Sequence, residues 1–396
     1  MTILVAYSTD TSVAQATRKG NFDEMKRQVE SYASLGDVCL ITQDTRNYGT
    51  FFRSVRHLAC GFNLPPPLNW LLFYLKSLLV LEGMSSRVDA VRAYGIGNLM
   101  PATVCRVHRI PLVVSYEYDW SGEMLLTRRR LLHAVSRKIE DLVFEFSTVT
   151  VGLSRRLCDE ASKRGAKNVV LIPNGIDPNL VRELSNEEKE RIRSHLGLVG
   201  KKIVLYVGRL HSIKGVSYLI KAVSHLRQRH DDIGLLIVGD GADREKLRLL
   251  CEKVGLTDHT VFTGFVPRSN VFSFMKVADV LVLPSLMEGN PRVLIEAMFC
   301  RLPIVGTDVA GVRDLIEQGR NGLLVSPRNP IALAQAVDSI LGDAYLARKL
   351  IEEAYRDASR RFNGQKLVDM NVGLVSRLVR AARGADLESK RSHSLP

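Results

Sequence analysis

The sequence lacks the cysteine patterns of zinc sites and disulfide frameworks. Its six cysteines are scattered along the chain, without a Cys-x-x-Cys pair and without a histidine at metal-ligand spacing. We therefore expect reduced, structural thiols, because disulfides persist mainly in oxidising compartments. A secretory signal peptide is not expected either, since no basic segment precedes the β-like run at residues 3–7, and we expect the protein in the cytoplasm.

Long hydrophobic runs are also missing. The most apolar stretch, residues 68–81, is too short for a membrane span, which needs about 20 apolar residues, and Asn69 and Lys76 interrupt it. We predict a helix that is either buried in the core with a solvated basic flank or docked on an anionic membrane face. The basic residues that could join it at a membrane are Arg53, Arg56, His57 and residues 128–130.

Internal repeats, low-complexity segments and nucleic-acid recognition motifs are absent from the sequence as well. The formal net charge of +13 favours an acidic partner: nucleic acid, an anionic membrane surface or a phosphorylated substrate. Because the basic residues are dispersed, we do not expect nucleic acid to be the partner. The length of 396 residues and the 46% hydrophobic content fit a soluble protein of two domains.

Short apolar runs alternate with segments of helix length in both halves of the chain. This pattern predicts an α/β fold of two Rossmann-like, doubly wound domains that face one another across a cleft. The predicted division is a first domain at 1–178, a linker at 179–200, a second domain at 201–355, and a C-terminal helix at 356–396 that can cross back to the first domain and ends in a flexible tail.

The most informative stretch is residues 284–298, which follow the apolar run 280–283. That run is typical of a buried parallel strand, and Asn290 and Pro291 are typical of a helix start, as N-cap and first helical residue. A helix that begins after a strand and a glycine-containing turn presents unpaired N–H groups. We therefore predict a phosphate site at Gly289 and Asn290.

Two carboxylates, Glu288 and Glu296, frame this predicted site. Glu296 lies past Asn290 by about 9 Å along a helix axis that rises about 1.5 Å per residue. That separation is comparable to the distance between the two sugars of a nucleotide sugar, and carboxylates can accept hydrogen bonds from sugar hydroxyls. Taken alone, the two carboxylates fit a second interpretation equally well, in which Glu288 is a solvated loop residue and Glu296 a charged position on a helix face.

Two cations follow the predicted strand at residues 203–207. Arg209 comes directly after Gly208, and Lys214 follows shortly afterwards. At the C-terminal end of a parallel strand both suit a diphosphate, since Arg contacts it bidentately and Lys supplies a point charge. Residues 239–244 do not complete a dinucleotide fingerprint, because Arg244 occupies the third glycine position.

Together these motifs resemble the family-4 retaining glycosyltransferases of group 1, which have the GT-B fold. The resemblance covers residues 200–330 approximately, and its pieces occur in the order and spacing of that family. It implies that the domain at 1–178 binds the acceptor and that the domain at 201–355 binds the nucleotide sugar. The pieces are residues 207–210 with 214–215, residues 238–241, 264–266 and 284–285, Glu288 with Glu296, residues 303–307, and Gly311.

The resemblance implies that Arg209 and Lys214 hold the donor diphosphate, that Glu296 binds the donor ribose and that Glu288 contacts the transferred sugar. The other donor-binding residues that it implies are Gly208, Phe265, Val266, Gly289, Asn290, Pro291 and Leu294, with Phe265 and Val266 beside the base. Members of the family usually need no metal, since the cations and the helix dipole offset the leaving-group charge. We expect no cofactor, and a UDP- or GDP-sugar as the donor substrate.

The first half departs from the pattern of that family. The loop at 8–12 lacks the Gly-Gly that members often carry, and residues 115–119 stand where many have a histidine. Glu117 and Asp119 are therefore candidate catalytic groups on the acceptor side, although a structural role for these carboxylates is at least as good an interpretation.

The leading hypothesis is a retaining, metal-independent hexosyltransferase. It would move a sugar from a nucleoside diphosphate donor to a hydroxyl acceptor that is lipid-linked or a polysaccharide precursor, on the inner face of the membrane. The alternatives are transfer to a soluble sugar-phosphate acceptor, and a non-catalytic nucleotide-binding protein of the same fold.

Overall fold

The computed structural model describes residues 2–7, 22–46, 48–64, 68–95, 98–117, 121 and 130–392, and it divides into two compact units. The first unit comprises the residues up to Pro173 and those from Lys366 onward, and the second runs from Asn174 to Gln365. The boundary expected at residue 178 thus lies inside the second unit. So does the whole of segment 179–200, because it folds onto that unit as a capped helix.

The first unit is built on a seven-stranded parallel sheet of order β3-β2-β1-β4-β5-β6-β7. Its strands are β1 (Thr2–Tyr7), β2 (Asp37–Thr42), β3 (Val55–Ala59), β4 (Ala90–Tyr94), β5 (Leu112–Tyr116), β6 (Val149–Gly152) and β7 (Val169–Leu171). Its first helices are α1 (Phe22–Glu30), α2 (Leu68–Met84), α3 (Leu99–His108), α4 (Arg130–Phe146) and α5 (Arg155–Lys163). Strands β4, β5 and β6 are buried at every position, as expected for the central strands of a parallel sheet covered on both faces.

The second unit is built on a six-stranded parallel sheet of order β10-β9-β8-β11-β12-β13. Its strands are β8 (Lys202–Val207), β9 (Ile233–Val238), β10 (Thr260–Gly264), β11 (Val280–Leu283), β12 (Ile304–Thr307) and β13 (Leu323–Val325). Its helices are α6 (Asn186–His195), α7 (Val216–Arg227), α8 (Arg244–Lys253), α9 (Arg268–Val277), α10 (Arg292–Phe299), α11 (Ala310–Arg313), α12 (Pro330–Gly342) and α13 (Ala344–Arg361). The strand order reverses between β8 and β11, where open α/β sheets bind their ligands.

The last helix, α14 (Gly364–Ser392), belongs to the first unit from Lys366 onward. Its apolar residues Leu367, Leu374, Val375 and Val379 join the hydrophobic cluster that contains the strands β1 and β2. The Asn371 side chain accepts a hydrogen bond from Arg92 at 2.9 Å. The first unit is thus completed by a segment that follows the whole second unit in the sequence.

The apolar stretch at 68–81 forms α2, which confirms the predicted helix. Phe73 and Leu81 are buried, whereas Leu75 and Leu79, one turn apart, are 42% and 71% exposed. Among the described residues, no helix has both the length and the apolar composition that crossing a membrane requires. One face of α2 therefore packs in the core and another presents apolar side chains to solvent.

His57 is not part of a basic surface, so its grouping with Arg53 and Arg56 was wrong. It is 1% exposed, its Nδ1 accepts the N–H of Tyr48 at 2.8 Å, and its Nε2 lies 2.7 Å from Thr42 Oγ1. Burial, only partly offset by the Asp44 carboxylate, lowers the pKa of His57. Polar partners inside the unit satisfy both ring nitrogens, and burial keeps the ring neutral. Arg53 and Arg56 are exposed, and residues 128–129 lie outside the described part of the chain.

Candidate functional site

The first part of the candidate site is the loop that follows β8. Gly208 adopts a φ of 157°, and its N–H donates to the Val238 carbonyl at 3.0 Å. A Cβ on Gly239 would lie 2.0 Å from the Gly208 oxygen, so these two loops can approach only without a side chain there. Arg209 leaves this loop as an exposed side chain, and its carbonyl accepts the Tyr206 hydroxyl at 2.9 Å. The guanidinium is thus presented at the carboxyl end of the strand.

Lys214 and Glu288 form the centre of the site. Lys214 Nζ donates to Glu288 Oε1 at 2.8 Å, and the two side chains are 17% and 8% exposed. The buried Ser285 hydroxyl donates to the same Oε1 at 2.6 Å. The structure therefore brings together the predicted diphosphate ligand and the predicted sugar ligand, which lie far apart in the sequence.

Two glycines allow the loops around this ion pair to converge. Gly215 has a φ of 65°, and a Cβ at this position would lie 2.1 Å from the Pro284 carbonyl oxygen at the end of β11. At Gly311 a Cβ would lie 2.4 Å from the Glu288 carbonyl oxygen. Larger residues at either position would displace the loop that carries Glu288. The close approach of these loops therefore explains why the sequence motifs have glycine at both positions.

The helix after this loop begins later than predicted, and Asn290 is not its N-cap. Helix α10 starts at Arg292, with Pro291 in extended conformation at the N-cap position and without a capping side chain. The Asn290 Oδ1 instead accepts the N–H of Asn174 at 3.2 Å, and its carbonyl accepts the Asn174 amide at 3.2 Å. Because Asn174 satisfies the Asn290 side chain, that side chain is not available to cap the helix. Gly289, Asn290 and Pro291 are buried.

Glu296 lies on α10 and faces a cation of its own. Arg268 Nη2, at the start of α9, lies 2.9 Å from Glu296 Oε1, and both side chains are 11% exposed. Leu294, on the same helix, is fully buried and belongs to the hydrophobic core of the unit. Each of the two predicted site carboxylates therefore has a basic partner.

The loop predicted to lie beside the base follows β10. Phe265 is 55% exposed, and the half-buried Val266 packs against the core. Gly264 has a φ of 70°, and a Cβ there would lie 3.3 Å from the Arg244 guanidinium, which pairs with Asp240 at 3.0 Å. Arg244, at the position where a dinucleotide fingerprint has its third glycine, therefore pairs with the loop after β9 and lies close to the end of β10.

The acceptor-side candidates lie in the first unit. Glu117 directly follows β5 and is exposed, as expected for a residue at a strand end. Asp119 lies outside the described residues. Within the described ranges, no three His, Cys, Asp or Glu side chains cluster as metal ligands.

The sequence reasoning missed Arg268 and Asn174. Arg268 follows Pro267 at the first position of a helix, where a cation opposes the helix dipole, and this is a signal that a carboxylate lies nearby. Asn174 carries no comparable signal, because its partner lies in a distant part of the sequence and only the folded chain brings them together.

Comparison with known proteins gives two family matches. The family described as glycosyl transferases group 1 matches residues 188–357, and glycosyltransferase family 4 matches residues 32–180. An uncharacterized glycosyltransferase of Methanocaldococcus jannaschii is 31% identical over 273 residues, which span 68% of this chain and 70% of that protein. The alpha-D-kanosaminyltransferase of Streptomyces kanamyceticus is 38% identical over 265 residues, 66% of this chain and 69% of that protein.

A solved structure agrees in fold. Anabaena HepE in complex with UDP-glucose superposes with a TM-score of 0.77 at 21% sequence identity, over 95% of this chain and 100% of that one. Two parallel sheets with surrounding helices, in the strand orders found here, are the GT-B architecture that the motifs predicted.

Proposed function

Since the chain belongs to the group 1, family 4 glycosyltransferases, enzymes of GT-B fold that use a nucleotide sugar, we propose that it transfers a hexosyl group to a hydroxyl acceptor with retention of configuration. The observation that carries this proposal is the Lys214–Glu288 pair at the switch point of the second sheet. A cation for the diphosphate and a carboxylate for the sugar lie there within hydrogen-bonding distance.

The pair can bind substrate without being broken. An ammonium group has three N–H donors, and among the described residues Lys214 Nζ uses one, for Glu288 Oε1. Glu288 Oε2 accepts no hydrogen bond from the described residues, so it is open to a sugar hydroxyl. Arg209 is exposed at the neighbouring strand end and adds a second cation for the departing diphosphate. In this proposal Glu296 binds the donor ribose.

The proposed transfer is metal-independent. Arg209, Lys214 and the N-terminus of α10 offset the charge that develops on the leaving diphosphate, which other transferases neutralise with a divalent ion. Transfer in the presence of excess EDTA should match transfer without it. A loss of activity that Mg²⁺ or Mn²⁺ restores would contradict this part of the proposal.

The proposed donor is a UDP- or GDP-sugar. The related fold of HepE has been solved with UDP and with UDP-glucose, which supports a nucleoside diphosphate donor here. A thermal-shift screen of UDP, GDP and ADP, with their sugars, tests the proposal directly. A ligand at 100 times its Kd adds about 2.7 kcal/mol to the free energy of unfolding. If none of these nucleotides shifts the unfolding temperature, the proposed function is wrong.

The proposed acceptor is a lipid-linked or polysaccharide precursor, with the protein held peripherally on a membrane. Two packed helices of the first unit, α2 and α3, expose Leu75, Leu79 and Val107, and the exposed Arg106 and Arg109 flank Val107 in the sequence. Apolar side chains with basic neighbours suit an anionic membrane face. On the acceptor side, Glu117 or Asp119 would assist deprotonation of the hydroxyl.

Co-sedimentation with vesicles of anionic and of neutral lipids tests this acceptor class. We expect binding to anionic vesicles that Leu79→Ser weakens and that Leu249→Ser, at an exposed position of the second unit, leaves unchanged. Failure to bind anionic vesicles would favour a soluble sugar-phosphate acceptor. Retention is tested by the anomeric configuration of the product, determined by NMR from the anomeric coupling constants.

A further inference from the structure

Arg268 is a buried cation at an electrostatically unfavourable place. It is the first residue of α9, directly after Pro267, and its side chain is 11% exposed. The N-terminus of a helix carries a positive partial charge, so a cation there is disfavoured. Removal of the guanidinium from water disfavours it further. A residue at such a position needs a compensating contact.

Glu296 provides that contact. Arg268 Nη2 lies 2.9 Å from Glu296 Oε1, and the guanidinium carbon lies 5.6 Å from the centre of the Phe272 ring. The ion pair with the carboxylate and the contact with the ring together restrict the guanidinium. A restricted guanidinium in turn restricts the rotation of the Glu296 carboxylate.

We propose that Arg268 is a positioning residue for the donor ribose. It holds the Glu296 carboxylate in the orientation that accepts hydrogen bonds from the ribose hydroxyls. It also offsets the charge of Glu296, which would otherwise repel the nearby diphosphate. The inference rests on the proposed function, in which Glu296 is the ribose ligand.

The chain order gives this contact a further consequence. Phe265 and Val266, the residues predicted to lie beside the base, continue directly through Pro267 into Arg268. One short segment therefore connects the base loop to the ribose carboxylate. The base and the ribose are therefore recognised by one continuous segment and its ion-pair partner. Arg268 in this way contributes to the preference of the protein for ribonucleotides over deoxyribonucleotides.

The test compares Kd values for UDP and GDP with those for their 2′-deoxy forms, measured by calorimetry. In the unmodified protein we expect the ribonucleotide to bind about tenfold more tightly than its 2′-deoxy form, since one hydrogen bond to a charged group is lost. Arg268→Gln should weaken the ribonucleotide by about tenfold and bring the ratio close to one. Arg268→Lys, which keeps the charge without the planar fork, should give an intermediate ratio.

Lys276→Gln is the matched control. Lys276 lies in the last turn of the same helix, its side chain is 6% exposed, and it pairs with Glu183 at 2.6 Å. This substitution also breaks an ion pair of a buried cation on α9, and it should leave the ratio unchanged. An equal loss of the ratio in Lys276→Gln would mean that α9 acts through stability alone, and it would overturn the inference.

Glu296→Gln separates the inference from the proposed function. If Glu296→Gln lowers the ratio while Arg268→Gln and Arg268→Lys both keep it, Glu296 binds the ribose and only the role of Arg268 is wrong. If Glu296→Gln also keeps the ratio, the assignment of the ribose site fails and the inference fails with it. If Arg268→Gln does not fold, Arg268→Lys is the deciding variant: a lowered ratio supports the inference, and an unchanged ratio overturns it.

Discussion

The two units have the same core strand order, with a reversal beside the first strand of each, but Arg92 of the first unit has different partners from Lys214 and Arg268 of the second. In the second unit, Lys214 and Arg268 face the carboxylates of Glu288 and Glu296 at the ends of strands and helices. In the first unit, Arg92 lies in the middle of β4, is 1% exposed and donates its hydrogen bonds to neutral oxygens. The number of N–H donors that a buried cation has left over indicates whether it can also bind a substrate.

The guanidinium of Arg92 has no donor left over. A guanidinium has five N–H groups, and the acceptors of Arg92 are Tyr32 Oη, the carbonyls of Ala93 and Val113, Ser115 Oγ and Asn371 Oδ1, at 2.7 to 3.4 Å. Its guanidinium also lies 4.3 Å from the centre of the Tyr94 ring. Such a cation binds the structure together, whereas Lys214 keeps donors for a ligand.

The largest expected effect is a loss of transfer activity in variants of the second unit. Lys214→Ala and Glu288→Ala should each lower the rate of sugar transfer by about 10³-fold, since each removes a group proposed to bind the diphosphate or the sugar. Initial rates measure the effect, and circular dichroism verifies that the variants are folded. Lys221→Ala, which removes an exposed lysine of α7, should be fully active. Full activity in either site variant would refute the site assignment.

The next largest expected effect is a loss of stability when the buried cation of the first unit is removed. Arg92→Met should lower the free energy of unfolding by about 3 kcal/mol, because it leaves several buried acceptors without their donor. Denaturant titration measures it, with the exposed Arg87→Met as the control. Nucleotide binding should persist at temperatures where Arg92→Met is folded. The distinction between the units would fail if Arg92→Met were as stable as the control and had lost nucleotide binding.

The smallest effect concerns His57, whose pKa is lowered in the folded protein by burial. Below its ordinary pKa of about 6.5, the unfolded chain binds a proton that the folded chain resists, so stability falls as the pH falls. Gln at this position keeps one donor and one acceptor and does not titrate. Between pH 7.5 and 5.5, the unmodified protein should lose about 1 kcal/mol more than His57→Gln. Identical pH profiles in thermal unfolding would contradict the structural account of His57.

Strands were the most predictable elements of the fold. The predicted strands at 203–207 and 280–283 match β8 and β11, because a strand buried on both faces is typically an unbroken apolar run. Glu296 could be named from its spacing along the predicted helix, and Arg209, Lys214 and Glu288 for a related reason. Ligand groups follow strand ends, and strand ends are visible in the sequence.

The partners of these residues could not be predicted in the same way. Asn290 looked like an N-cap because local preference favours it, but its amide bonds with Asn174, far away in the chain. His57 looked basic and exposed because its neighbours Arg56 and Arg53 are charged, yet its strand points it inward, toward Thr42. Contacts of this kind depend on the tertiary fold, which a local pattern does not contain.

The position of α14 has a consequence for biosynthesis. One of the two hydrophobic clusters of the first unit joins Ile3 and Val5 to Leu374 and Val379, whereas among the described residues the buried core of the second unit lies between Ile176 and Phe362. A ribosome that adds about 5–20 residues per second needs roughly 10–40 s to pass from Pro173 to Val379. During that interval the second unit can complete its hydrophobic core. The strands β1 and β2 of the first unit meanwhile expose the apolar face that α14 later covers. The nascent chain therefore needs protection from aggregation chiefly at its N-terminal strands.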